Sequence, residues 1–283
     1  MLRKLFKHEF KNTARVMLLI YGMFAAITVL GTFVLSYSSL QKEESTVLNF
    51  MLAALVVFYI LSVFALFIVT YVYMCLHFYK SMYSDQGYLT HTLPVKSSTL
   101  FHVKLATSLI WMVCSMVLLI LSIFLFILGA SHGTVFSSEF FAEFGQVSLE
   151  FERELGISFG SFCLHMCVSM LLSCLCYLLW IFTSASVGQL FSQYKVVASI
   201  VTGVVLYFIE QIASLIIMFA TGYISSMTDT SISLTGVSAT VPESTVGNVL
   251  EPMLGTTYIW SILLCVVYYI VCRVIIQKHL NLE

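Results

Sequence analysis

The chain has 283 residues, 60% of them hydrophobic and only 10% charged, with a formal net charge of -1. A soluble domain carries about 25% charged residues. A chain of this length cannot enclose so much apolar surface in water, so its solvent is lipid. The near-neutral charge offers no argument for nucleic acid, and no such partner is expected. Unbroken apolar runs such as 103–130 argue against a β-barrel built from alternating ~10-residue strands.

From the N-terminus, residues 1–15 predict a two-faced helix. At ~100° per residue, Leu2, Leu5, Phe6 and Phe10 gather on one side, and Lys4, Lys7, Lys11 and Arg15 on the other. The pattern suits an amphipathic helix lying in the inner headgroup layer with its cations toward anionic lipid, and equally a plain positive-inside anchor. The apolar run that follows is a full span long and lacks a small-residue cleavage site, so no removable signal peptide is expected. Runs of about 20 or more apolar residues, each able to cross ~30 Å as a helix, lie near 16–37, 47–76, 103–130, 159–183, 196–222 and 256–276. The second exceeds what a bilayer requires and either tilts or continues as helix beyond it. The fold class expected is therefore an all-α integral membrane protein, one transmembrane domain over residues 1–283. It has six transmembrane helices, an N-terminal interfacial helix and a cytoplasmic loop between helices 2 and 3.

Lysine and arginine set the orientation. With the N-terminus inside, the inner segments hold Arg3, Lys4, Lys7, Lys11, Arg15, Lys80, Lys96, Lys104, Lys195, Arg273 and Lys278, eleven of the thirteen basic residues. The outer segments hold only Lys42 and Arg153. Both termini are expected in the cytoplasm. Between spans three and four the outer segment is acidic, with Glu139, Glu143, Glu150, Glu152 and Glu154. Phe136, Phe140, Phe141 and Phe144 fall on one helical face there, which suits a short helix on the outer leaflet or a solvated loop with aromatic anchors. The Ser- and Thr-rich segment from Tyr223 to Gly255 reads as a polar loop. All eight cysteines lie within or beside apolar runs, so they read as small packing residues and not as a disulfide framework.

The longest cytoplasmic connection is HFYKSMYSDQGYLTHTLPVKSSTLFHVK, residues 77–104. Gly87 permits a backbone turn at positive φ. Pro94 stops a preceding helix near Leu93, and Ser97 or Ser98 offers an N-cap for the helix that runs through Lys104 into span three. These pieces make a structured loop. Asp85, Gly87, Leu93, Pro94, Val95 and Lys104 resemble the acidic residue, glycine, Leu-Pro turn and span-opening lysine of the permease family of the second ABC exporter class. Tyr88 stands where that family commonly has threonine, and the glutamate often found after it is missing. The basic N-terminal helix and the closing Leu280 to Glu283 resemble Gram-positive members. The resemblance implies a coupling helix in this loop resting on a nucleotide-binding subunit, with Tyr83, Asp85, Gly87, Tyr88, Leu89 and Pro94 as partner-binding residues. It also implies a second permease chain, identical or not, and a place in the bacterial plasma membrane.

The chain contains no G-x-x-x-x-G-K-[ST] phosphate loop, so the expectation is no cofactor here and ATP hydrolysis on a separate ATPase subunit. Glu210 is the one acid deep in a span, where a charge costs about 2.5–3.5 kcal/mol and so faces protein or water. It is a pathway candidate, or a carboxyl bonded locally to Gln211, Ser214 or backbone. His165 lies ~9 Å nearer the outer end of its span than mid-span Glu210 does in its own, too far to pair with it readily. Cys163, His165 and Cys167 do not make a metal site, because the middle residue points away from the other two; a small-residue helix contact through Cys163, Cys167 and Cys174 explains the cysteines. No catalytic cluster such as H-E-x-x-H lies in the spans. The alternative to a transport subunit is a membrane sensor, immunity or assembly protein that acts by binding.

Overall fold

The computed structural model describes residues 2–40, 46–84, 87, 97–131, 137–191, 194–233 and 245–278. These residues form seven α-helices and no strand: α1 (Leu2–Leu40), α2 (Thr46–Tyr83), α3 (Ser97–Ser131), α4 (Ser138–Leu155), α5 (Phe159–Gly188), α6 (Lys195–Ser233) and α7 (Thr245–Lys278). All but α4 are long and apolar enough to cross a membrane, so the protein has six candidate spans. Each span helix has 30 to 39 residues, more than the ~20 a bilayer needs. The excess accounts for two differences from the sequence reading. Residues 2–15 continue without a break into the first span as the opening turns of α1. The segment expected as a polar loop from Tyr223 is helical through Ser233 and again from Thr245. The acidic segment between spans three and four is also a helix, α4, and its Phe144 and Phe151 meet Phe159 edge-on at 5.4 and 5.5 Å.

The helices group into two compact units, Met1–Ala142 and Glu143–Asn281. In the first, α1 buries Thr13, Met17, Tyr21, Phe24, Thr28 and Gly31, a stripe stepping by four or three residues. The mean step of about 3.6 residues is that of the α-helix itself and keeps the stripe on one face of α1 along its length, toward a partner helix. The partner is α3, which presents Lys104, Ser108, Trp111, Ser115 and Ser122. Bonds from Tyr21 Oη to the Trp111 carbonyl (2.6 Å) and from Ser36 Oγ to the Gly129 carbonyl (3.3 Å) show the two helices parallel. Between lipid-bathed helices there is no hydrophobic drive, so close packing and hydrogen bonds hold the contact. At Gly129 an added Cβ would stand 2.9 Å from the Thr32 carbonyl oxygen. The middle helix α2 runs antiparallel, with Tyr59 stacked on Phe126 at 4.2 Å and bonded to Ser122 at 2.8 Å.

The second unit repeats the plan. α5 and α7 run parallel, joined by Tyr258 Oη to the His165 carbonyl (2.8 Å), Thr183 Oγ1 to the Tyr268 carbonyl (3.0 Å) and Ser186 Oγ to Cys272 Sγ (3.3 Å). α6 packs more sparsely. Gly203 is its one buried residue between 195 and 221, and beside it stand Ser184 and Trp180. Where α6 leaves α5, Gly188 lies directly against the backbone of Ser199, an approach no side chain would allow.

Candidate functional site

The ends of the 77–104 connection are built into the first unit. α2 ends at Tyr83, and α3 begins with Ser97 as its first helical residue, so the position that would cap it lies outside the described residues. Tyr83 is 6% exposed and meets Phe78 edge-on at 6.0 Å, so its ring packs within this chain. Gly87 donates its N–H to the Ser84 carbonyl at 2.6 Å, closing a turn. Its φ is not in the positive region. Glycine is needed there for space instead, since a Cβ would stand 2.6 Å from the Met82 carbonyl oxygen. Asp85, Tyr88, Leu89, Leu93, Pro94 and Val95 lie outside the described residues.

Both ends of the loop are tied to α1 through one carboxylate. Glu9 Oε1 accepts from Lys104 Nζ at 2.8 Å and bonds His77 Nε2 at 2.7 Å. Its side chain is 14% exposed, and those of Lys104 and His77 are 6% and 16%. His77 lies on α2 six residues before its end, and Lys104 on α3 seven residues after its start. Beneath this triad Trp111 Nε1 donates to Thr13 Oγ1 at 2.9 Å, Phe10 stacks on the Trp111 ring at 4.8 Å, and Tyr21 Oη reaches Ser115 Oγ at 2.8 Å. The ammonium desolvated by burial is thus paired, and the indole N–H has its acceptor, as buried polar groups require. The sequence reading placed Phe10 on the apolar side, opposite the cations, and gave Glu9 no role. The signal was present: on a helical wheel Glu9 falls between Leu2, Leu5 and Phe6, an acid at the centre of the apolar face.

The second candidate lies in the second unit. Glu210 is half-buried on α6, and its Oε2 accepts from Tyr268 Oη at 3.1 Å. Tyr268 is 5% exposed, and its carbonyl in turn accepts from Thr183, so the carboxylate is linked through one tyrosine to both α7 and α5. The local partners considered from sequence do not hold it: Ser214 Oγ instead donates to the Gln211 carbonyl. His165 stacks on Tyr258 at 5.9 Å and bonds the Ser161 carbonyl. Cys163 and Cys167 are exposed and only Cys174 is buried, so the expected small-residue contact through all three is not formed; α5 meets α7 instead through Cys176, Thr183 and Ser186. Two apolar clefts line the α1–α2 side of the first unit, the larger about 300 Å³ between Met23, Phe24, Leu61 and Leu66. Neither carries a charged group. Comparison of the chain with family models, with curated proteins and with solved structures gives no match.

Proposed function

We propose that the chain is the membrane-spanning permease subunit of an ATP-driven exporter of the second ABC class. It sits multi-pass in a bacterial plasma membrane with both termini in the cytoplasm, pairs with a second permease chain, and takes its energy from a separate ATPase subunit docked on the 77–104 loop. The observation that carries the reading is the bracing of that loop: Glu9 holds His77 and Lys104, and so joins its two ends to the first span. A push on a loop fixed in this way moves three helices together, the rigid-body displacement a coupled transporter needs. A loop that served only as a tether would gain nothing from a buried ion triad. Tyr83 packs inside the chain, which leaves Tyr88 and Leu89 as the anchors for the partner. Glu210 is the pathway residue, a carboxylate half-exposed within a span.

Pull-down of the native chain from its own membranes in gentle detergent, with peptide mass spectrometry, tests the reading. An ABC ATPase is expected to co-purify. Tyr88→Ala with Leu89→Ala should lower its recovery roughly fivefold or more, since truncating an anchor commonly costs over 1 kcal/mol, and should uncouple ATP hydrolysis from substrate. Glu210→Gln should alter export while expression holds. Repeated absence of any ABC ATPase would overturn the assignment in favour of a sensor, immunity or assembly protein.

A further inference from the structure

Glu210 stands well inside its span, ~22 Å along α6 from Lys195 and ~16 Å from Thr221. Among the described residues its one bond comes from Tyr268 Oη to Oε2, and no lysine, arginine or histidine pairs with it. Oε1 therefore accepts nothing from the described residues. An anion this deep in lipid needs a positive charge beside it. No described residue of the chain supplies one.

The surroundings define the kind of cation that fits. Tyr268 is buried and closes the carboxylate off on the α7 side. Away from α7, Tyr177 on α5 and Tyr207 on α6 are 47% and 44% exposed, and at this depth their exposure is to lipid. Tyr207 precedes Glu210 by three residues, so the two are neighbours on α6. Tyr177 lies within electrostatic reach of both Glu210 and Tyr207. Glu210 is itself only half-buried, so a molecule in the bilayer reaches it past these two rings. A metal ion would need several hard or soft ligands, and among the described residues no three His, Cys, Asp or Glu side chains gather to hold one. A bulky organic cation needs no such cage. Its apolar groups stay in lipid, its diffuse charge lies on aromatic faces, and one carboxylate balances it.

We propose that Glu210, Tyr177 and Tyr207 form a binding site, reached from the bilayer, for a lipophilic organic cation of the quaternary ammonium or phosphonium type. Binding at this site does not depend on the chain being an exporter. That such cations are the exported substrate does rest on that reading.

The test is equilibrium binding of radiolabelled tetraphenylphosphonium to the full chain in lipid nanodiscs. Tetraphenylborate, with the same shape and the opposite charge, is the control. The expected result is saturable binding of one phosphonium per chain and none of the borate. Glu210→Gln should weaken the affinity about tenfold or more, the loss of one close charge pair. Tyr177→Leu with Tyr207→Leu should weaken it roughly fivefold, whereas Tyr177→Phe with Tyr207→Phe, which keeps the ring faces, should retain most of it. Melting curves report whether each variant folds. If Glu210→Gln does not, the two lipid-exposed tyrosine pairs decide. Absence of saturable phosphonium binding to the native chain would overturn the proposal, leaving Glu210 a protonated carboxyl. Equal binding of the borate, or an unchanged affinity in folded Glu210→Gln, would overturn it too. Phosphonium binding without a co-purifying ATPase would support the site and sink the exporter. An ATPase that co-purifies with a chain that binds no phosphonium would sink the site alone.

Discussion

A carboxylate on the apolar side of a basic helix is costly unless its partners are already waiting, and at Glu9 they are. Lys104 and His77 bond the same oxygen, so removing one partner leaves a buried charge undercompensated. Breaking such a pair costs about 3–5 kcal/mol, whereas replacing both members with apolar groups is often near neutral. Lys104→Met should therefore destabilise the protein by about 3 kcal/mol, and Glu9→Leu combined with Lys104→Met should recover most of the loss. Thermal unfolding of the four proteins in one detergent gives the coupling directly. Strictly additive losses would show that the two residues do not depend on each other. Glu9 itself was legible in the sequence, as the lone acid amid Leu2, Leu5 and Phe6. Its partners were not, because they stand 68 and 95 residues away and only folding brings them near. The same holds for Glu210: its depth in a span could be read, but its partner Tyr268 lies 58 residues on, behind the nearer Gln211 and Ser214.

At the scale of elements, apolar run length was enough to find the six spans, since nothing but a membrane helix uses such runs. The contact faces were harder to see. In lipid the outward side of a helix is as apolar as the inward side, so the usual contrast of an amphipathic helix vanishes. What marks the seam instead is small and polar residues at a 3.5-residue spacing, and Ser108, Ser115 and Ser122 on α3 carry it at intervals of seven. Glycine marks the closest approaches. At Gly188 an added Cβ would come within 2.5 Å of the Ser199 backbone, which cannot swing aside as a flexible side chain would. Gly22, in the middle of α1, has nothing within 4 Å of the same position. Gly188→Ala should thus destabilise by about 1–3 kcal/mol or more, the range of overpacked sites. Gly22→Ala should be neutral or stabilising by up to about 1 kcal/mol, the helix-propensity difference. Detergent melting curves of the two variants should move in opposite directions or differ by several degrees. Equal losses would mean that the α5–α6 turn relaxes freely around Gly188.

For the whole molecule the controlling quantity is where charge sits relative to the bilayer. Large apolar side chains such as Leu30, Phe33, Phe64, Phe208, Ile212 and Ile259 stand exposed along the spans, so the surface is made for lipid. Six spans put the two termini on one side of the membrane, and the apolar surface cannot say which. The basic residues can, because segments rich in lysine and arginine stay on the cytoplasmic side during insertion. One orientation places eleven of the thirteen inside, and the reverse places two inside. Glu9, His77 and Lys104 gather at the end of the first unit that also holds Lys4, Lys7, Lys11 and Lys80, and an acid there offsets repulsion among cations at one membrane face. Single cysteines introduced into a chain lacking the eight native ones should report this orientation. Those at Ser138 and Ser244 should react with an impermeant maleimide added outside intact cells. Those at Ser84 and Ser192 should react only after the membrane is opened. Labelling at Ser84 from outside, with Ser138 protected, would invert the topology and take the 77–104 loop out of reach of any cytoplasmic ATPase.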